Sequence, residues 1–169
     1  MTLEQPLAVR PPRSLAEAAE AHLDDVFGYL LYLTRDRETA EDLASATFEK
    51  ALRLWSRFDP GRGSARTWLL GIARTTALDW FRAERRRQRR EEAVAPPERV
   101  EERFGEGLSP ELESALAALS AGEREVVVLR IVLELDGDAT ARVLGVSQTA
   151  VSTRLSRALK RLEEQVNEG

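Results

Sequence analysis

Arginine and lysine are the residues of this sequence whose spacing most clearly points to a binding chemistry. Residues 82–90 read RAERRRQRR and hold six Arg against one Glu. A second basic stretch, residues 139–162, holds five basic residues and no acidic one. The chain as a whole has a net charge of −4, so the positive charge is segregated. Because clustered cations attract nucleic-acid phosphates, both stretches predict contact with a nucleic-acid backbone.

The residue types that most enzymes and metal sites need are scarce. The sequence has no cysteine and a single histidine, His22, which excludes disulfides, cysteine zinc sites and histidine clusters or triads. A hydrolase of the acid–base type needs paired carboxylates in a pocket, whereas the acidic residues here fall on polar helix faces or between the two basic stretches. We therefore expect no catalytic residue, no metal, no cofactor and no small-molecule substrate.

The hydrophobic pattern is typical of a folded, water-soluble chain. Hydrophobic residues make up 43% of the sequence and charged residues 32%. The longest apolar runs, residues 126–129 and 131–133, are far too short to cross a bilayer, and the N-terminus lacks a signal pattern. We expect a cytoplasmic protein without membrane insertion.

The second basic stretch has the spacing of a helix-turn-helix. A small residue, Ala141, lets two helices cross closely, and Gly145, four residues later, suits the tight turn between them. Val151 closes the small core, and Ser147 is placed to cap the second helix. This pattern predicts a DNA-binding motif.

The second helix of this motif carries polar and basic residues opposite its apolar stripe. The outward set is Gln148, Thr149, Ser152, Thr153, Arg154 and Arg157. Residues near the start of the helix are expected to reach base edges, whereas Arg157, Lys160 and Arg161 suit phosphates. A solvated helix in an ordinary helical hairpin is the alternative. The small residue, the turn glycine, the cap and the acid-free basic face together favour DNA binding.

Helical periodicity elsewhere predicts an all-α fold. Ser14 is placed to cap a first helix whose apolar residues keep helical spacing up to Leu33. A second helix follows from about Ala40 to Trp55 and ends at the turn FDPGRGS. Ser64 then caps a third helix, which ends in the arginine run.

A stretch without apolar periodicity divides these helices from the helix-turn-helix. Residues 91–108 combine dense acid with proline and glycine, which predicts a linker. Beyond it, Ser109 starts a helix, and Ser120 with Glu123 forms a capping box for a helix to about Leu135. The expected organisation is a disordered extension at 1–13, a small helical domain at 14–90, a flexible acidic linker at 91–108 and a small helix-turn-helix domain at 109–169.

With these motifs in this order, the sequence resembles the extracytoplasmic-function (ECF) sigma factors of the sigma-70 family, from about residue 18 to residue 166. The stretches that carry the resemblance are AEDLASATFEKALRLW, FDPGRGSARTWLLGIARTTALDWFRAERRR, LSAGEREVVVLR and VSQTAVSTRLSRALKRL. The resemblance implies a transcription initiation factor that is not an enzyme. Residues 14–90 would be sigma region 2, which binds core RNA polymerase and recognises and melts the −10 element, and residues 109–169 would be region 4, which reads the −35 element.

The resemblance also implies partners and contact residues. The partners would be core RNA polymerase, double-stranded promoter DNA with its melted non-template strand, and an anti-sigma factor. The polymerase-binding set would be Glu41, Asp42, Ser45, Glu49 and Arg53. The −10 set would be Arg62, Ser64, Arg66, Thr67, Arg74, Thr75, Arg82, Arg85 and Arg86. The −35 set would be Gln148, Thr149, Ser152, Thr153, Arg154, Arg157, Lys160 and Arg161.

Several positions depart from the usual pattern of this family. Ser45, Ala65 and Thr75 stand where Gln, Phe and Asn are common, which suggests an unusual promoter preference. Ala139 and Thr140 replace an acidic–Ile pair, so a hydroxyl is expected near the core of the −35 domain, which would be less stable than is typical. A stand-alone helix-turn-helix regulator remains the alternative function, and binding of core polymerase through residues 40–90 distinguishes the two.

Overall fold

The computed structural model describes residues 10–92 and 109–168, and every regular element there is a helix. The elements are α1 (Leu15–Thr34), α2 (Arg37–Leu54), a 3-10 turn (Trp55–Arg57), α3 (Ala65–Glu92), α4 (Pro110–Ala118), α5 (Ala121–Val127), a π-helical turn (Val128–Val132), α6 (Gly137–Leu144) and α7 (Gln148–Glu168). The predicted all-α fold is confirmed. Residues 1–9 of the predicted extension and 93–108 of the predicted linker lie outside the described residues.

Short polar side chains fix where the helices begin, as the sequence predicts. The hydroxyl of Ser14 accepts a hydrogen bond from the backbone N–H of Glu17 at 3.2 Å, and Ser64 does the same for Thr67 at 3.1 Å. Ser120 and Glu123 form the predicted capping box. Each cap satisfies a backbone donor that the first helical turn leaves unpaired.

The end of α5 differs from the sequence-based expectation. A single helix was expected up to Leu135, but the α-helical pattern stops at Val127 and a π-helical turn follows. The backbone N–H of Leu133 bonds to the carbonyl of Val128 at 2.9 Å, and Glu134 takes a left-handed conformation with φ of 55°. The wider turn ends the helix and leaves the Leu133 carbonyl at its surface.

The N-terminal helix group, α1 to α3, packs three helices around a shared core. Val26 and Leu30 of α1 meet Leu43 of α2 and Leu69 and Leu70 of α3, and all five are buried. The hydrophobic effect contributes roughly 1.5–3 kcal/mol for each such fully buried side chain. This apolar stripe sets which face of α2 and α3 remains for solvent.

The C-terminal helix group, α4 to α7, is built around the helix-turn-helix. Helices α4, α5 and α6 all contact α7. Buried Val143 and Leu144 of α6 pack with Val151 of α7, and Leu116 and Ala158 lie in a smaller buried cluster. The recognition helix is therefore held on one side along much of its length.

The two helix groups contact each other directly, which the sequence does not predict. Helix α3 packs against α6, and α1 packs against the π-helical turn. Buried Leu30 and Leu69 belong to the same hydrophobic cluster as Leu129, Leu133 and Val143. Within residues 10–92 and 109–168 the two helix groups thus pack against each other, although each keeps its own internal contacts.

Candidate nucleic-acid interface

The helix-turn-helix has the geometry that its sequence predicts. Gly145 takes a left-handed conformation with φ of 65°, and its N–H bonds to the carbonyl of Ala141. Apart from the adjoining backbone, no atom lies within 4 Å of a Cβ built on Gly145, so the backbone angle rather than space requires glycine. Ser147 accepts a hydrogen bond from Ala150 N–H at 3.1 Å and starts α7.

Helix α7 presents most of the predicted −35 set to solvent. Gln148, Thr149, Ser152, Thr153, Arg157, Lys160 and Arg161 are exposed, and Arg154 is half-buried. Gln148 donates to the Asp138 carboxylate at 3.1 Å. Arg161 also has a structural contact, because its Nη1 lies 3.1 Å from the carboxylate of Glu123, whose side chain is only 8% exposed. Arg157 and Lys160 are free of such contacts among the described residues and suit phosphate binding.

A cavity of about 470 Å³ gathers part of the predicted −10 set. It lies between the end of α2, the turn before α3 and the first turns of α3. Its lining includes four of the predicted residues: Arg62, Ser64, Thr67 and Thr75. The wall combines cationic, hydroxyl and aromatic groups, which are the groups that bind unpaired bases and their phosphates.

Three aromatic rings form the floor of this cavity and its support. Trp55 stacks on Phe58 with ring centroids 5.0 Å apart, and Trp68 meets Phe58 at 5.3 Å. Trp68 packs against the hydrophobic core, and it also lines the cavity. Phe58 and Trp68 therefore line the cavity, and Trp55 packs against both of them.

Two residues of the predicted −10 set lie on a different face of α3 and are engaged within the chain. Arg66 Nε donates to Asp25 Oδ2 of α1 at 2.6 Å, and Arg66 also donates to the Leu133 carbonyl. Arg74 Nε donates to Glu125 Oε1 of α5 at 2.7 Å. The contacts to Leu133 and Glu125 join the N-terminal helix group to the C-terminal one.

Two titratable groups beside these arginines have shifted pKa values. Burial raises the pKa of Tyr29 well above its ordinary value, and the Glu125 carboxylate adds to this shift. The phenol therefore stays protonated and donates to Glu125 Oε1 at 2.6 Å. Burial lowers the pKa of His22, with Asp25 opposing the shift and Arg66 adding to it.

The last three residues of the predicted −10 set lie further along α3. Arg82, Arg85 and Arg86 are exposed, and Arg82 pairs with Asp79 at 3.2 Å. Trp80 and Phe81, which lie between Asp79 and Arg82 in the sequence, are partly buried and pack against the core. The arginine run is thus a solvent-facing cationic surface at some distance from the cavity.

The predicted polymerase-binding set forms an exposed face of α2. Glu41, Asp42, Ser45, Glu49 and Arg53 are all exposed. Leu52 beside them is 68% exposed, which is unusual for a leucine. Buried Ala40, Leu43, Ala44, Thr47 and Ala51 occupy the opposite side. The face therefore has no packing role within the described part of the chain.

Sequence reasoning missed several cationic groups at the cavity. Lys50 and Arg57 line it from the end of α2, and Arg142 reaches it from α6. Residues 50, 54 and 57 have helical spacing, so that signal was present in the sequence. The position of Arg142 depends on the contact between the two helix groups and has no sequence signal. In the described residues there is no cluster of acidic or histidine side chains suited to a metal, and no helix long and apolar enough to span a membrane.

Comparison with known proteins identifies the family. The Sigma-70 region 2 model matches residues 18–87, and the Sigma-70, region 4 model matches residues 109–162. The chain is 30% identical over 158 residues to the ECF RNA polymerase sigma factor SigX of Bacillus subtilis, covering 86% of this chain and 79% of SigX. It is 32% identical to the RNA polymerase sigma factor YlaC of the same species, covering 89% of this chain and 91% of YlaC. This chain belongs to the ECF RNA polymerase sigma factors.

Solved structures agree with this sigma factor in fold. The sigma factor RpoE of Bartonella quintana, in complex with the anti-sigma factor NepR, superposes with a TM-score of 0.71 at 25% identity, covering 90% of this chain and 96% of RpoE. CnrH, in complex with the cytosolic domain of CnrY, gives a TM-score of 0.67 at 24% identity, covering 92% of this chain and 89% of CnrH. The RpoE match spans both helix groups of this sigma factor.

Proposed function

We propose that this sigma factor binds core RNA polymerase and directs it to specific promoters. Residues 14–90 act as region 2, which grips polymerase and recognises and melts the −10 element. Residues 109–169 act as region 4, which reads the −35 element in duplex DNA. The observation that carries the proposal is the order of the two sigma-70 family matches, residues 18–87 and then 109–162, around residues that predict a linker.

The site geometry supports this division of labour. Helix α7 offers an exposed basic and polar face to a major groove, with the polar residues near its start and the phosphate-binding residues further along. The cavity beside α3 offers cations and aromatic rings to a strand whose bases are unpaired. We assign the cavity residues and the arginine run to −10 DNA, and the α7 face to −35 DNA.

The first experiment is transcription with purified core polymerase and a pool of promoter fragments. We expect specific transcripts that depend on the added sigma factor. Failure to bind core polymerase at low salt, together with retained binding to duplex DNA, would favour the stand-alone regulator.

The α2 face is tested by charge reversal at Glu49, which is exposed. Glu49→Arg should weaken binding to core polymerase at least tenfold and leave binding to −35 duplex DNA unchanged, since α7 is not altered. Glu20→Arg, an equally large change at an exposed position of α1, is the matched control. Equal core affinity for both variants would remove α2 from the polymerase interface.

The α7 face is tested by two variants with different expected signatures. Arg157→Ala should weaken binding to all DNA sequences and lower the salt dependence of log affinity by about one unit, because a phosphate contact is lost. Gln148→Ala should instead relax discrimination at one position of the −35 element. Arg13→Ala, an exposed arginine outside both helix groups, is the control.

We also propose that an anti-sigma factor controls this protein. The support is the likeness to RpoE of Bartonella quintana, whose structure is a complex with the anti-sigma factor NepR. Affinity purification from native cells under uninduced conditions should yield a stoichiometric partner that prevents core binding. Isolation of the sigma factor alone and active would contradict this part of the proposal.

A further inference from the structure

The sequence contains only two lysines, Lys50 and Lys160, and its other strongly basic residues are all arginine. Lys50 lies in α2 and lines the cavity, whereas Lys160 lies on the exposed face of α7. A lysine amine can lose its proton and act as a nucleophile, whereas an arginine guanidinium stays protonated in proteins. Both lysine amines of this sigma factor therefore lie on surfaces that the proposed function gives to DNA.

The cavity around Lys50 is positively charged. Arg57, Arg62 and Arg142 line it together with Lys50, and Asp59 is the one acidic residue among the described residues of its wall. Arg62 Nε lies 3.8 Å from Asp59 Oδ2, and the side chain of Arg62 is 89% exposed. An exposed ion pair at this distance contributes little free energy, so an anion can take over the guanidinium. The cavity therefore attracts a small anion such as a phosphate group.

The amine of Lys50 is accessible and only weakly held. The side chain of Lys50 is 33% exposed, and its Nζ lies 3.8 Å from Asp79 Oδ2 of α3. This separation is too long for a hydrogen bond. The Asp79 carboxylate also pairs with Arg82 at 3.2 Å. Loss of the charge on Lys50 would therefore leave Asp79 with a partner.

The cavity has room for a small phosphorylated molecule beside this amine. Its volume of about 470 Å³ falls within the roughly 300–1,000 Å³ that is usual for small-molecule sites. The hydroxyls of Ser64 and Thr67 belong to its wall, and hydroxyls can donate to phosphate oxygens. Guanidiniums, hydroxyls and one nucleophilic amine thus share a single cavity.

We propose that Lys50 is a site of acylation by an acyl phosphate such as acetyl phosphate, with Arg57 and Arg62 binding the phosphate group. The Lys50 ammonium first gives one proton to water, and the neutral amine then attacks the acyl carbon. The bond from this carbon to the bridging oxygen breaks, and phosphate leaves with the electron pair and takes up the second amine proton. Lys50 becomes a neutral amide, and the reaction needs no oxidant or reductant.

The acylation would weaken recognition of the −10 element, and this consequence rests on the proposed function. It removes one positive charge from the wall that the proposed function gives to the melted strand. Loss of one phosphate contact lowers the salt dependence of log affinity for a single strand by about 0.7 units. The α7 face is not altered by acylation of Lys50, so binding to −35 duplex DNA is unchanged.

Two acyl donors separate the effect of the cavity from ordinary exposure. The full-length protein is treated either with acetyl phosphate or with the N-hydroxysuccinimide ester of acetic acid, which has no phosphate, and peptide mass spectrometry gives the rates at Lys50 and Lys160. With acetyl phosphate we expect Lys50 to react about tenfold faster, because a charge-assisted hydrogen bond to the phosphate corresponds to about that factor. With the ester we expect Lys160 to react faster, because it is the more exposed lysine.

A variant of the phosphate-binding group tests the assignment of the cavity. Arg57→Gln should slow acetylation of Lys50 by acetyl phosphate about tenfold, for the same reason, and leave its reaction with the ester unchanged. Arg13→Gln, at an exposed position outside the cavity, is the matched control. Inorganic phosphate should compete with acetyl phosphate at Lys50 and not at Lys160. Circular dichroism verifies that each variant is folded.

The consequence for DNA is measured with two variants of Lys50 itself. Lys50→Gln has the neutral amide of the acylated side chain and should weaken binding to a single-stranded −10 oligonucleotide, with the lower salt dependence given above. Lys50→Arg keeps the charge but cannot be acylated, so acetyl phosphate should weaken −10 binding of the wild type and not of Lys50→Arg. Affinity for a −35 duplex is measured in parallel and should be the same for both variants.

Three results would overturn the proposal. The same ratio of rates at Lys50 and Lys160 with both donors, or an unchanged rate in Arg57→Gln, would show that the cavity does not direct acylation. Equal −10 binding by Lys50→Gln and Lys50→Arg would show that acylation does not control −10 recognition. Failure of the proposed function looks different: neither the wild type nor Lys50→Arg would bind the −10 oligonucleotide even with core polymerase present, although the two donors would still differ in their preferred lysine.

Discussion

Replacement of Thr140 by valine should stabilise the C-terminal helix group. Thr140 lies in α6, is fully buried, and its hydroxyl has no hydrogen-bond partner among the described residues. A buried hydroxyl without a partner costs about 1–3 kcal/mol in the free energy of unfolding. Valine has nearly the same shape and replaces the hydroxyl with a methyl group that prefers the core. We expect Thr140→Val to raise the free energy of unfolding by about 1–2 kcal/mol.

A second buried threonine provides the matched control. Thr47 of α2 is also fully buried, but its hydroxyl donates to the Leu43 carbonyl at 2.7 Å. Thr47→Val makes the same chemical change and loses a hydrogen bond, so it should lower stability by about 0.5–1.5 kcal/mol. Because the two expected changes in the free energy of unfolding have opposite signs, the comparison separates the effect of the hydroxyl's hydrogen bond from the general effect of a more apolar side chain.

Urea unfolding followed by far-ultraviolet circular dichroism measures both variants, since helices of both groups contribute to the signal. At about 2–4 °C per kcal/mol for a chain of this size, Thr140→Val should raise the melting temperature by roughly 2–8 °C. Tryptophan fluorescence serves as a second probe, because Trp55, Trp68 and Trp80 all lie in the N-terminal helix group. The reasoning is refuted if Thr140→Val is no more stable than the wild type, or if Thr47→Val is stabilised equally.

Three further predictions concern local structure and pH. Gly145→Ala should lower the free energy of unfolding by about 1 kcal/mol, because the φ of Gly145 is 65°. Gly28→Ala, within α1 and with open space for a Cβ, should raise it by about 0.5–1 kcal/mol. Thermal melts compare the two variants. Asp36→Ala removes the N-cap of α2 and should cost about 1 kcal/mol at pH 7. Hydrogen bonds from Thr39 lower the pKa of Asp36 below 3.8. The stability that the wild type gains from this cap should therefore be full above pH 3.8 and be lost as the pH falls through the folded-state pKa. Urea unfolding of the wild type and Asp36→Ala at pH 7 and pH 3 tests this. His22 has a pKa below 6.5 in the folded state, so stability should be full above pH 6.5 and fall as the pH drops from there to the folded-state value; a wild-type pH dependence no greater than that of His22→Gln would contradict this.

For Thr140 the sequence indicates a hydroxyl near the core, and the structure shows whether that hydroxyl has a hydrogen-bond partner. Comparison with the usual family pattern places a hydroxyl near the core at this position, and the structure finds it fully buried without a partner. The sequence could not distinguish this case from Thr47, because both are threonines at buried helical positions. In the structure the Thr47 hydroxyl donates to the Leu43 carbonyl one turn earlier, whereas the Thr140 hydroxyl has no partner among the described residues.

Part of the candidate site could be predicted from the sequence, and part depends on the tertiary structure. The exposed faces of α2 and α7 follow from helical periodicity, because the apolar stripe of each helix fixes which side faces the core. The cavity assembles Arg62 and Thr75 with Lys50 and Arg142, which lie far apart in the chain, so no local pattern reports their meeting. Arg66 and Arg74 carry the same charge as the other four arginines of the predicted −10 set, yet in the structure each forms an ion pair with an acidic residue of this chain.

The sequence by itself determined the helices, their starting points and the helix-turn-helix, since caps and turns form hydrogen bonds between residues that are a few positions apart. Ser14 with Glu17 and Ser120 with Glu123 need nothing beyond one turn of helix. Only the tertiary structure decided that Arg74 pairs with Glu125, 51 residues away, and that Arg142 of the C-terminal helix group lines the cavity. The physical reason is that this contact depends on how two apolar surfaces fit together, and the shape of a surface is a property of packed helices rather than of any segment of the chain.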